Sequence, residues 1–156
     1  MTAVAILVRY LLVVLFFPFS ALDKLLNFDG AVGQAQEIFR PRGLASIVIL
    51  CGLAIEIICP LAILTGAADR LAALVMAAYC AATAVLFKRF WEPGDFWRRG
   101  QSRGRDLFWD FLKNFSLAGG FLLILVGLNG AGLGAFLHHP LGSSHPYALA
   151  HGFSRH

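Results

Sequence analysis

Residues 43–66 read GLASIVILCGLAIEIICPLAILTG, an apolar run interrupted by one carboxylate, Glu56. A helix needs about 20 residues to cross the hydrocarbon of a bilayer, so this run predicts a membrane span. A carboxylate at bilayer depth is costly unless something pairs with it, protonates it or hydrates it. Glu56 therefore bears on the fold class and on where to look for a site.

Three further apolar runs flank it. One covers about residues 3–22 and contains Arg9, one covers about 70–87 and is rich in alanine, and one covers about 112–137 and opens with Lys113-Asn114. Across the chain 58% of residues are hydrophobic, against roughly 45–50% in an ordinary soluble domain. The prediction is all-α: an integral membrane four-helix bundle over residues 1–137, with a polar, histidine-containing tail over 138–156. A separate soluble catalytic domain has no room. The first run is followed by Phe19-Ser-Ala-Leu-Asp23, a poor cleavage site, and reads as a retained helix rather than a signal peptide. Ala73, Ala77 and Ala81, and Gly130 with Gly134, recur every four residues, a spacing that lets helix backbones approach closely in lipid.

The net charge is +4, from 13 Lys and Arg against 9 Asp and Glu. The bases lie in short loops between apolar runs. Membrane orientation and anionic lipid explain them better than nucleic acid does. Lys24, Arg40 and Arg42 mark the first loop, and Lys88, Arg89, Arg98, Arg99, Arg103 and Arg105 mark the third. The positive-inside rule puts both loops in the cytoplasm and both termini outside. The third loop interleaves aromatics with arginines, Trp91 and Trp97 with Arg98 and Arg99 among them, a pattern suited to headgroup depth and to contact with lipid or a partner.

Two polar groups carry the site expectations. Counted from the shared outer face, Arg9 and Glu56 differ in backbone depth by roughly 5 Å at the helical rise of about 1.5 Å per residue. A long arginine can close that gap, so the two are expected to pair. Such a pair either locks two helices or forms a polar pocket in which Glu56 relays a proton or bonds a headgroup. At the inner face, Asp23-Lys24 ends the first helix and Lys113-Asn114 opens the fourth. These are either snorkelling anchors or a second cluster able to hold a quinone carbonyl, a lipid phosphate or a partner.

Other chemistry is sparse. Cys51, Cys59 and Cys80 lie within apolar runs and form no Cys-x-x-Cys. They read as small hydrophobes, with Cys59 and Cys80 as the pair that redox chemistry would use. His138, His139, His145, His151 and His156 all fall near the C-terminus among prolines and glycines, a pattern that fits a solvated tail better than zinc or haem ligation. No phosphate loop, nucleophile elbow or zincin motif is present.

Arg9 followed by an apolar helix ending Ser20-Ala-Leu-Asp-Lys24-Leu, Glu56 in a second helix ending Leu64-Thr-Gly66, and Phe111-Leu-Lys113-Asn114-Phe-Ser-Leu-Ala-Gly119-Gly120 together resemble the DoxX family over about residues 5–128. The resemblance implies a four-helix protein of the bacterial cytoplasmic (inner) membrane, linked to quinone-dependent oxidation and to membrane redox or respiratory complexes. The chain departs from the common family pattern at Lys88, where a histidine is often found, and in its histidine-rich tail. Two expectations follow. One is a subunit that anchors a partner oxidoreductase and binds quinone, with Arg9, Glu56, Lys24, Lys113 and Asn114 as ligand or proton groups. The other is a purely structural or assembly subunit. A small transporter fits less well, because no inverted repeat or broken helix is visible. No metal or haem is expected, and an electron carrier would have to come from a partner.

Overall fold

The computed structural model describes residues 2–127 and 130–147. Its described residues form helices α1 (Thr2–Val14), α2 (Phe17–Leu26), α3 (Phe28–Gln36), α4 (Arg42–Thr65), α5 (Asp69–Phe87), α6 (Arg103–Val126) and α7 (Gly132–His138), with no strand among them. Four stretches are long and apolar enough to cross a membrane: Ile6–Leu26, Arg42–Thr65, Asp69–Phe87 and Arg103–Val126. Only 22–33% of each span is buried within the protein. Large apolar side chains such as Leu15, Phe19, Leu26, Ile58 and Leu123 point outward, a surface that lipid covers and water would not tolerate.

The first crossing is not one helix. It is interrupted at Leu15–Phe16, and Phe16 leaves helical geometry (φ −122°, ψ −54°). Pro18 lies in the first turn of α2, where its missing N–H leaves no intrahelical bond unmade. The break separates the segment carrying Arg9 from the segment carrying Ser20 and Lys24.

The core lies between the spans. Val13 and Phe17 meet Ile63 of α4, Ala72, Ala73, Met76, Ala77 and Cys80 of α5, and Ala118, Phe121 and Ile124 of α6. Ala73 and Ala77 of the alanine row are buried here. Gly120 lets α6 approach α1: a Cβ there would lie 2.8 Å from Leu12 Cδ2. Gly130 and Gly134 do not make the close approach their spacing suggested. Each would have open space around a Cβ, and Gly130 occupies a turn with φ 69°. Gly66 ends α4 in the left-handed region (φ 80°) and donates its N–H to the Ala62 carbonyl, the usual way to stop a helix.

Three boundaries correct the sequence reading. The first loop contains α3, an amphipathic helix whose Val32 and Ala35 pack on Ala45 and Ile49 of α4. Its apolar positions were too few to stand out beside the membrane runs. The fourth span is Arg103–Val126 rather than 112–137, because Gly127 turns the chain at φ 71° and α7 follows separately. Its start precedes the apolar run because two caps extend it. Ser102 Oγ accepts from the Arg105 amide, and the Asp95 carboxylate accepts from the amides of Gly104 at 2.8 Å and Arg103 at 2.9 Å. Finally, the described tail is not free in solvent. Ser144 and Tyr147 bond to the bundle, while the side chains of His138, His139 and His145 are exposed. His151 and His156 lie outside the described residues.

Loop 88–102 packs Phe90 on Phe108 and Phe111 of α6 and Phe96 on Phe108, with ring centroids 5.0–5.3 Å apart. Trp91 and Trp97 remain exposed, Trp97 by 90%, and Arg98 and Arg99 are exposed beside them. The Gly104 amide, then that of Arg103, and the Ser102 side chain hold the Asp95 carboxyl below its ordinary range. A depressed carboxylate stabilises the fold above its unfolded pKa and loses that effect as pH falls through the folded value. Hydrogen exchange at the Arg103 and Gly104 amides should therefore lose protection as pH drops below about 3.9, the ordinary Asp value. Asp95→Asn should remove that acid-dependent loss, and an unchanged profile in the variant would contradict the cap.

Candidate functional site

Two polar clusters lie in the bundle. One is near the end that carries the 66–68 turn and the tail (the tail face). The other opens toward loops 27–41 and 88–102 (the loop face).

At the tail face Arg9 is buried and Asp69 fully so. Arg9 Nη1 donates to Asp69 Oδ2 at 2.6 Å and to the Ile63 carbonyl at 3.2 Å, and Nη2 donates to Ser144 Oγ at 2.7 Å. Ser144 donates its amide to Asp69 Oδ1 at 2.9 Å and its hydroxyl to Asp69 Oδ2. The Tyr147 hydroxyl bonds the Leu64 carbonyl. Asp69 is the first residue of α5, where the helix dipole favours an anion. This cluster is a clamp: it ties α1 to α5, the end of α4 and the tail.

The expected Arg9–Glu56 pair is therefore not formed. An acid nearer the surface, Asp69, takes the guanidinium instead. An arginine in lipid extends toward the nearer interface, and Asp69 lies there whereas Glu56 is deeper in α4.

Glu56 is instead reached from the opposite face. Lys24 Nζ donates to Glu56 Oε1 at 2.8 Å and Oε2 at 3.0 Å, and to Ser20 Oγ at 2.8 Å. The Ser20 hydroxyl and the Tyr79 hydroxyl also donate to Glu56 Oε1, at 3.0 and 2.8 Å. Ser20 and Lys24 stand one turn apart on α2, so both face α4. Tyr79 reaches across from α5 because Gly52 stands one turn before Glu56. A Cβ on Gly52 would come within 3.3 Å of the tyrosine oxygen. Pro60 lacks the amide that would bond the Glu56 carbonyl along α4, a local weakness in the helix beside the charged group.

This cluster lies in the wall of a cavity of about 780 Å³. Phe16, Phe17, Glu56 and Tyr79 line its deep end, and Glu37, Arg89, Glu92 and Arg103 line its mouth at the loop face. Lys113 and Asn114 line it from α6, and neither bonds Lys24. Lys113 Nζ pairs with Asp110 Oδ1 at 2.7 Å and sits 5.5 Å from the centre of the Phe16 ring. Lys88 pairs with Asp110 Oδ2 at 2.9 Å, and Asn114 donates to the Asp110 carbonyl at 2.8 Å. No buried polar side-chain atom among the described residues lacks a partner, and those residues hold no metal-ligating group of His, Cys, Asp and Glu. Cys51, Cys59 and Cys80 are free thiols.

Ser20, Tyr79, Asp69, Asp110 and Ser144 were not foreseen. Ser20 had a signal in its spacing from Lys24, and Asp69 in its place on the same face as Arg9. Tyr79 and Ser144 become partners only through tertiary packing, whereas Asp110 stands three residues before Lys113 on α6.

The fold and its two ion-pair clusters define a four-span helical membrane protein with a buried acid–base group at the end of a cavity. The DoxX family model matches residues 4–89, a region that includes Arg9, Lys24, Glu56, Asp69 and Tyr79, and the chain belongs to the DoxX family. It is similar to the inner membrane protein YphA of Escherichia coli (strain K12), at 28% identity over 128 residues that cover 82% of this chain and 86% of that protein. No solved structure matches the chain.

Removing one partner of a buried pair typically costs about 3–5 kcal/mol, because the other charge is stranded. Arg9→Gln and Asp69→Asn should each lower thermal stability in detergent, and the double variant should lose much less than the sum. Additive losses would show that the clamp does not couple the two residues.

Proposed function

We propose that this protein is a membrane subunit of a bacterial redox assembly that holds a quinone in the cavity and anchors a partner oxidoreductase. The observation that carries the reading is the Lys24–Glu56–Tyr79 cluster at the deep end of a cavity of about 780 Å³. That size falls within the range of ordinary ligand pockets, about 300–1,000 Å³.

The residues fit the chemistry of such a ligand. Phe16, Phe17, Val48, Ile49 and Phe87 supply apolar walls. Lys24, Tyr79 and Asn114 supply donors for carbonyl oxygens, and the Asn114 amide can donate and accept. A bound quinone supplies an acceptor of electrons and protons, with the electrons coming from a partner subunit. Glu56 holds or passes a proton, and Lys24 offsets its charge when it is ionised. Arg9, expected from sequence to act beside Glu56, belongs to the clamp instead. Exposed Trp97, Arg98 and Arg99 form the surface for lipid headgroups or the partner. The location of YphA supports the bacterial inner membrane, and the basic loops favour a cytoplasmic loop face with both termini outside.

A second reading is a scaffold without ligand chemistry. It is favoured by the full pairing of buried polar atoms among the described residues, since such a network can serve helix packing alone.

Quinone extracted from the protein purified in mild detergent distinguishes the two. Wild type should retain it, and Glu56→Gln should lose it while keeping the wild-type helix content. Absence of quinone from wild type would favour the scaffold, and equal retention in the variant would contradict the role given to Glu56.

A further inference from the structure

The lining of the cavity includes residues of loops 27–41 and 88–102 and none of the 66–68 turn or the tail. Going from the loop face inward, its lining climbs α2 from Asn27 to Phe16, α4 from Val48 to Glu56, and α5 from Lys88 to Tyr79. It stops at the level of Glu56. Beyond that level toward the tail face come Val13, Ile63, Ala73, Met76, Ala77 and Phe121, all buried in one apolar core cluster. Beyond them lies the clamp, where Arg9, Asp69 and Ser144 use their polar atoms on one another. An apolar layer offers water no hydrogen-bonding partners, and the clamp spends its charges on each other.

The loop-face side differs. The cavity passes Lys24, Lys113 and Asn114, then Lys88 and Arg89, on its way to the mouth. Lys113 and Lys88 share the Asp110 carboxylate, and Arg89 is paired with Glu92. Polar groups therefore line the route at every level below Glu56, and a cavity that is polar and roomy admits water. The charged and titratable groups facing Glu56 are Lys24 from α2 and Tyr79 from α5, with Cys80 of α5 also in the wall.

We infer that the cavity is a blind vestibule through which water and protons reach Glu56 from the loop face alone. This deepens the proposed function by naming the side that supplies the site's protons, and it rests on that reading for the use made of them. The vestibule itself does not require a quinone, so the two ideas fail separately. A buried acid served from one side exchanges protons with a single compartment. The clamp then has a purpose beyond packing, because it closes the other side.

The test is thiol accessibility in sealed membrane vesicles of both orientations. In the full chain with Cys51, Cys59 and Cys80 replaced by alanine, Gln101→Cys marks the loop face and Leu141→Cys marks the tail face, since both side chains are exposed. Thr83→Cys and Val48→Cys place probes on opposite walls of the vestibule. A membrane-impermeant maleimide should label both probes when added on the side that labels Gln101→Cys, and neither when added on the side that labels Leu141→Cys. A permeant maleimide and the circular dichroism spectrum identify which of the two variants are folded with a competent thiol. Labelling from the Leu141 side, or no labelling of a folded variant from the Gln101 side, would overturn the inference. Quinone retention measured on the same membranes reports on the proposed ligand independently.

Discussion

One constraint governs this bundle: a carboxylate placed well inside a membrane span must be neutralised by a cation that enters from somewhere. Glu56 accepts hydrogen bonds from Lys24, Ser20 and Tyr79, so three side chains from two other spans meet at one pair of oxygens. A charge at the centre of a bilayer helix costs about 2.5–3.5 kcal/mol on insertion scales. That cost accounts for the local structure around it. The break at Leu15–Phe16 gives the Ser20–Lys24 segment a helix of its own, facing α4. Gly52 leaves the space in which Tyr79 lies across α4.

The two ion pairs divide the molecule's labour. Arg9–Asp69 involves the tail and a fully buried acid, and both Asp69 oxygens are bonded by neighbours. Lys24–Glu56 borders a cavity, and Lys24 keeps some exposure there. The first pair is enclosed, and the second borders open space. Packed side chains between them keep the two environments apart. The proposed one-sided proton supply depends on that separation, because a polar path through the bundle would leak.

Much of this was legible in the sequence. The apolar runs declared the spans and the helical class, because twenty apolar residues have few other fates. Arg9, Lys24, Glu56, Lys113 and Asn114 stood out because polar groups in such runs are rare. Their partners were less legible. Pairing Arg9 with Glu56 rested on depth along ideal straight helices, and it passed over Asp69 because that residue sat in what read as a connection. The Lys24–Glu56 contact depends on how α2 turns toward α4, which composition does not encode. Helix α3 and the start of α6 were missed for a related reason: hydropathy marks where lipid is, whereas Asp95 and Ser102 decide where the helix begins. The role of Ser144 could not be read locally at all, since its partner Asp69 is 75 positions away in the chain.

The most direct test of the central claim is a pair of double-mutant cycles on thermal stability in detergent, both built on Glu56→Gln. Combined with Lys24→Met, the cycle should give a coupling clearly above the limit of about 0.5 kcal/mol within which independent sites add. Combined with Arg9→Gln, it should stay within that limit. Coupling of Glu56 to Arg9 with none to Lys24 would contradict the account.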